Sequence, residues 1–126
     1  MRRSDQRRDA VFALYQHEVT GRPLADQLKD VKPFSRELAE AVEARSDELD
    51  ELISAHAKGW ALSRIAPLEK NIMRVALFEA AYSEDVPVEV AIDEAVELEK
   101  EYCGADAPGF VNGILGAALA ERGAVD

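Results

Sequence analysis

The stretch VPVEVAIDEAVELEKEYCGADAPGFVNGIL, residues 86–115, decides the fold of this chain of 126 residues. Apolar residues recur three and four positions apart over residues 88–102, which predicts an amphipathic helix. Gly104 ends this helix, and Pro108 opens a second one that we expect over residues 107–121. The stretch therefore predicts two helices joined by a short acidic turn, and a connection this short makes them antiparallel neighbours.

The rest of the chain also follows a helical period. Ser4 and Ser35 are placed to cap the starts of the first and third helices. Residues 60–66 form a polar connector with one turn of helix, and the helix that follows it is apolar nearly all round, which places it in the middle of the fold. The remaining predicted helices cover residues 4–20, 24–31, 35–58 and 67–83.

The chain carries no strand pattern of useful length, so the predicted fold class is all-α. A length of 126 residues and a hydrophobic fraction of 48% predict one domain, residues 1–126, with a core of its own. Within it we expect an N-terminal helical half, about residues 1–58, and a C-terminal helical half, about residues 67–122.

The sequence predicts a cytoplasmic protein. No apolar run approaches the roughly 20 residues that a membrane span needs. The basic residues at the N-terminus are not followed by the apolar segment of a signal peptide. The single cysteine, Cys103, excludes an internal disulfide and fits a reducing compartment.

The charge is distributed unevenly. The net charge of −10 argues against a general nucleic-acid binder, because neutralising phosphates requires clustered lysine and arginine. Residues 1–8, however, contain four arginines and one aspartate. This small basic end could hold a few phosphates, and a solvated N-terminus without a function is the alternative interpretation.

Catalytic and metal sites find little support. His17 and His56 lie near no nucleophile motif, and one cysteine with two scattered histidines does not supply zinc ligands at close spacing. Asp93, Glu94 and Glu97 lie within one turn of a helix, but we expect them opposite its apolar stripe. The sequence thus predicts no enzyme, no cofactor and no metal, and a bundle enzyme with a carboxylate-bound metal remains an alternative that metal analysis would test.

Several motifs follow one another along the chain, and their order and spacing are more specific than any one of them. The motifs are Arg2-Arg3, Arg7-Arg8, Ala13-Leu14-Tyr15, Glu69-Lys70-Asn71-Ile72-Met73-Arg74, Val86-Pro87, Val90-Ala91-Ile92-Asp93-Glu94-Ala95-Val96-Glu97-Leu98 and Phe110-Val111-Asn112-Gly113-Ile114-Leu115. Taken together, they give the chain a resemblance to the NusB family of transcription antitermination proteins.

The resemblance implies both a fold and a function. The fold would be six to seven helices in two packed three-helix subdomains. The protein would pair with a NusE-like small-subunit ribosomal protein and bind boxA-type single-stranded RNA in nascent ribosomal RNA leaders. With other Nus factors it would help RNA polymerase pass terminators, without catalysing a reaction. A helical adaptor that binds protein but not RNA is the alternative, and self-association as a homodimer stays open.

The resemblance also implies which residues bind RNA. Tyr15 and Phe110 are candidate platforms for stacked bases, with burial in the core as the alternative. The phosphate ligands would be Arg2, Arg3 and Arg7, whereas Arg8 could pair with Asp9 instead.

Further residues are implied at the edge of the RNA and on the partner surface. Asp106 would accept a hydrogen bond from a base amino group, cap its helix, or do both. Glu69 and Arg74 would lie at the joint between RNA and partner, although Arg74 could equally form an internal salt bridge. The surface that docks the basic partner would consist of Arg64, Glu69, Lys70, Asp93 and Glu97.

Overall fold

The computed structural model describes residues 2–104 and 108–123 and confirms the all-α fold. Its described part contains seven α-helices, one 3-10 turn at Leu62–Arg64, and no strand. The helices, in chain order, are α1 (Arg3–Thr20), α2 (Leu24–Gln27), α3 (Pro33–Ala44), α4 (Ser46–His56), α5 (Pro67–Tyr82), α6 (Val88–Tyr102) and α7 (Pro108–Gly123).

Helix α5 is the centre of the fold, as its sequence predicts. It packs against α1, α3, α4, α6 and α7. Its fully buried side chains include Ile72, Met73 and Leu77. Because α5 touches helices from both ends of the chain, burial of its surface ties the two sequence halves into one hydrophobic core.

The predicted helix over residues 35–58 is wrong in one respect, because two helices occupy this region. The helix breaks at Arg45, whose φ of −113° and ψ of 17° are not helical, so that α3 ends just before this residue and α4 begins just after it. The interruption lets α3 pack against α1 and α4 pack against α7, while both touch α5. A single straight helix could not follow both neighbours.

Both predicted serine caps are also corrected. α1 begins at Arg3 with Arg2 at its cap position, and Ser4 Oγ instead donates to Glu94 Oε1 at 2.7 Å. α3 begins at Pro33, whose fixed φ suits the first helical position. Ser35 therefore lies inside the helix, fully buried, where its Oγ donates to the backbone oxygen of Gln6 at 2.9 Å. Each hydroxyl thus joins two helices.

The end of α2 differs most from the prediction, and both ends of α6 match it. α2 is a single turn that ends at Gln27 instead of residue 31, while α6 has the predicted bounds, residues 88–102. α7 begins at Pro108, and the predicted start at residue 107 lies outside the described residues. In the described part of the chain, no helix combines the length and the apolar character needed to cross a membrane.

Candidate nucleic-acid interface

An apolar cavity lies where the connector between the two halves meets α5 and α7. Its volume is about 230 Å³. We call it the aromatic cavity, and its lining consists of Trp60, Arg64, Ile65, Glu69 and Phe110. The structure thus brings together three residues singled out from the sequence, Arg64, Glu69 and Phe110, although Phe110 is far from the other two along the chain.

Two residues of this cavity were not predicted from the sequence, the buried Ile65 and the exposed Trp60. The ring of Trp60 meets that of Phe110 edge to face, with centroids 5.8 Å apart and planes at 67°. It is 53% exposed, whereas Phe110 is half-buried. An exposed indole against a second ring offers a π-face to a ligand. The signal that could have found it is a tryptophan in the connector between two helices, outside every helical stripe.

The first two arginines of the chain are exposed but have different surroundings. Arg2 and Arg3 are exposed, and the guanidinium of Arg3 lies 4.0 Å from the ring centroid of Phe34. Arg2 lines a groove of about 390 Å³ together with Asp93 and Glu97 of α6. A residue assigned to RNA and two assigned to a protein partner therefore share one groove, where the carboxylates oppose the approach of a phosphate.

Arg7 belongs to the interior. It is 8% exposed, and its Nε lies 2.7 and 2.9 Å from the two carboxylate oxygens of Glu79. Its Nη1 lies 3.7 Å from Glu94. Burial raises the pKa of Glu79 above its usual value, and the pairing with Arg7 offsets only part of that effect. The guanidinium that the resemblance assigns to a phosphate is thus engaged inside the protein.

Arg74 and Lys70 are held in a second network of charges. Arg74 donates to both oxygens of Asp50, at 2.6 and 2.7 Å, and to Glu18 at 2.8 Å. Lys70 Nζ lies 2.7 Å from Glu18. Burial alone would raise the pKa of Glu18, but the two cations outweigh it and lower that pKa. The structure therefore has the internal salt bridge foreseen as the alternative role of Arg74.

The other predicted site residues differ in burial and in their partners. Tyr15 is half-buried on α1, and Asp106 lies outside the described residues. Arg8 pairs with Asp9 at 3.5 Å, as the sequence suggested, and also with Asp5. Asp93 and Glu97 are exposed as expected, but their neighbour Glu94 is half-buried against Ser4 and Arg7.

Three groups that could ligate a metal meet next to the aromatic cavity. Glu69, Glu99 and Cys103 each direct one donor atom to a point where all three atoms lie within 4.8 Å of one another. Burial, and then the neighbouring Glu69 charge, raise the pKa of Glu99 to about 7. Burial, and then the two carboxylates, raise the pKa of Cys103 to about 12. Sequence spacing missed this cluster because Glu69 reaches it from a different helix.

Comparisons with known proteins point to one family. Residues 4–120 match the model of the NusB family. The chain is 39% identical over 121 residues to the transcription antitermination protein NusB of Geobacillus kaustophilus, which covers 91% of this chain and 93% of that one. The solved structure of T. maritima NusB has a TM-score of 0.86 and 31% identity, covering 96% of this chain and 92% of that one.

A further solved structure shares the fold. It is described as a crystal structure of the antitermination factors NusB and NusE in complex with dsRNA. The TM-score is 0.83 and the identity 22%, covering 94% of this chain and 96% of that chain. At this identity the likeness concerns the fold alone.

Proposed function

This chain belongs to the NusB family, and from that premise we propose that it is a transcription antitermination factor. Acting in the cytoplasm with a NusE-like ribosomal protein, it binds boxA-type single-stranded RNA in nascent ribosomal RNA leaders and helps RNA polymerase read through terminators. The observation that carries the proposal is the match over residues 4–120. The role is binding, and it requires no catalytic group.

The aromatic cavity supports RNA recognition at this surface. Single-stranded RNA exposes unstacked bases, and proteins bind these on aromatic and guanidinium planes. The pair of Trp60 and Phe110 supplies the aromatic faces, and the exposed Arg64 supplies a guanidinium beside them. Glu69, at the edge of the same cavity, has a carboxylate that can accept from the amino group of a base.

The phosphates of the RNA would be held by fewer arginines than the motifs suggest. Arg2 and Arg3 are exposed, whereas Arg7 is engaged with Glu79 and Arg74 with Asp50. We therefore assign the phosphate contacts to Arg3 and, despite the carboxylates that line its groove, to Arg2, and give Arg7 and Arg74 the role of holding helices in place. So few contacts make RNA binding weak without the partner.

The acidic side of α6 supports docking of a basic ribosomal protein. Opposite charges on the two partners accelerate their encounter and orient them, even where they add little affinity. Arg64 and Glu69, which the resemblance also assigns to the partner, line the aromatic cavity instead, where RNA and partner would meet. The exposed carboxylates on α6 are Glu89, Asp93, Glu97 and Glu101.

A helical adaptor without RNA affinity is the second candidate. The observation that favours it is that Arg7, Lys70 and Arg74 are all engaged in ion pairs within the protein. On a chain with a net charge of −10, this removes three cations from those that could attract a phosphate backbone. An adaptor would bind the ribosomal protein but show no salt-dependent affinity for boxA-type RNA.

Fluorescence anisotropy distinguishes the two candidates. A labelled boxA-type RNA is titrated with this protein, alone and with the NusE-like partner, at two salt concentrations and next to a scrambled RNA. The antitermination factor predicts binding that the partner strengthens, that the scrambled RNA lacks and that salt weakens. Association with the partner without binding of either RNA would refute RNA recognition and leave the adaptor.

A further inference from the structure

The junction of α5 and α6 contains donor atoms of two chemical kinds. Glu99 and Cys103 are four residues apart at the end of α6, a spacing that puts both side chains on one face of a helix. Glu69 reaches the same point from the first turn of α5. The two carboxylates and the thiol have their donor atoms within 4.8 Å of one another.

Glu99 supplies an independent indication of a ligand. Its side chain is 0% exposed. Neither of its carboxylate oxygens accepts a hydrogen bond from any residue in the described part of the chain. Burying a carboxylate without a partner is costly, and nearly all buried polar groups in proteins are therefore paired. A cation between Glu99, Glu69 and Cys103 would provide that partner.

We propose that Glu69, Glu99 and Cys103 bind one divalent cation of the zinc class. Zinc accepts both thiolate and carboxylate ligands, whereas magnesium and calcium favour oxygen alone. Three protein ligands leave a fourth tetrahedral position for water. Binding releases the thiol proton to solvent, because the thiolate is the form that ligates the metal.

The dimensions and the access route fit this cation. Metal–ligand distances of about 2.0–2.3 Å place the donor atoms of a tetrahedral zinc ion about 3.5 Å apart. Donor atoms already within 4.8 Å reach that spacing through small side-chain rotations. Access is possible because Glu69 also lines the aromatic cavity and Cys103 is only half-buried.

The proposal is tested by titrating the tag-free full chain with zinc and measuring the heat of binding by isothermal titration calorimetry. We expect one zinc ion per chain. Glu99→Gln and Cys103→Ser should each weaken binding about 100-fold or more, since even outer-shell partners of a metal are worth about 10–100-fold. Glu40→Gln is the matched control, because it removes the same charge from an exposed helical position on α3 and should bind zinc like the wild type.

Cobalt provides a spectroscopic test that needs no comparison of stabilities. The cobalt-loaded wild type should show a thiolate-to-cobalt charge-transfer band, and Cys103→Ser should lack it. Circular dichroism tests whether Glu99→Gln and Cys103→Ser are folded. If Cys103→Ser does not fold, the zinc affinity of Glu99→Gln and the cobalt spectrum of the wild type still test the proposal. Absence of zinc binding in the wild type, or zinc affinity unchanged in a folded Glu99→Gln protein, would overturn the proposal, as would a cobalt spectrum without the band.

Discussion

Arg7 of α1 and Glu79 of α5 form a buried ion pair, with the Nε of Arg7 2.7 Å from one carboxylate oxygen of Glu79. Their side chains are only 10% and 3% exposed. The pair joins the first helix to the central one. Removing one member of such a pair leaves a buried charge without compensation, so we assign Arg7 to the stability of the fold.

Substitution of Arg7 tests this assignment. Arg7→Met should lower the free energy of unfolding by about 3–5 kcal/mol, the usual cost of breaking a buried pair. Urea denaturation measures it. Arg3→Met is the control, since an exposed cation over a ring contributes only about 0.5–1 kcal/mol. An unchanged urea midpoint for Arg7→Met would show that the guanidinium contributes nothing to the fold and would return it to the candidate phosphate ligands.

The aromatic cavity should dominate RNA affinity. Trp60→Ala and Phe110→Ala should each raise the Kd for boxA-type RNA by about 5- to 150-fold, because one stacked base is worth about 1–3 kcal/mol. Anisotropy with the partner present measures the change. Tyr82→Ala is the control, because Tyr82 lies at the other end of α5, about 20 Å along the helix from Glu69. Equal losses in all three variants would contradict a local role for the cavity.

The exposed arginines should appear in the salt dependence of binding. Each phosphate contact with single-stranded nucleic acid contributes about −0.7 to the slope of log K against log salt. Arg2→Gln and Arg3→Gln should therefore each make the slope shallower by about that amount. Arg22→Gln removes the same charge from an exposed position just after α1 and should leave the slope unchanged. Identical slopes in all variants would mean that the N-terminal arginines do not contact phosphate.

The charge network of Glu18 predicts a stability that depends on pH. Burial would raise the pKa of Glu18, but Lys70 and Arg74 outweigh it, so the pKa is lower in the folded protein than in the unfolded chain. The unfolded chain then binds more protons in mild acid, and the stabilisation is present above the unfolded pKa, about 4.3, and disappears as pH falls through the folded one.

Urea denaturation of Glu18→Gln over a pH series tests this sign. The variant should be less stable than the wild type near neutral pH, and the difference should shrink as the pH falls towards about 3. Glu37→Gln, an exposed carboxylate variant on α3, should track the wild type throughout. A difference that grows in acid would mean that the folded protein raises the pKa of Glu18.

Periodicity predicted the helices but could not locate the break at Arg45. The buried residues Leu38 and Val42 of α3 and Leu49 and Ile53 of α4 continue one pattern across the interruption. No glycine or proline stands at the break, so the sequence carries no breaker signal there. The buried positions keep the same helical spacing on both sides of the break. The position of the break is therefore set by the helices that pack against each side, α1 against α3 and α7 against α4.

The site was predictable in part for a similar reason. The motif positions Arg64, Glu69 and Phe110 meet in one cavity, and family resemblance was sufficient to select them. Which arginines are free could not be read from the sequence, because Arg7 finds Glu79 only when α1 packs on α5. Long-range pairing of charges depends on tertiary packing, which no local pattern encodes.

Glu99 allows a last prediction that separates stability from metal binding. Without metal, its buried carboxylate has no hydrogen bond from the described residues and costs free energy. Glu99→Met, of similar volume, should therefore raise the free energy of unfolding by about 1–3 kcal/mol in the presence of a chelator. Glu101→Met, at an exposed position, should change the free energy of unfolding by less than about 0.5 kcal/mol.

Added zinc should then stabilise the wild type but not Glu99→Met, because only a ligand that binds the folded state raises its stability. A Glu99→Met protein less stable than the wild type in chelator would show that the carboxylate already has a partner.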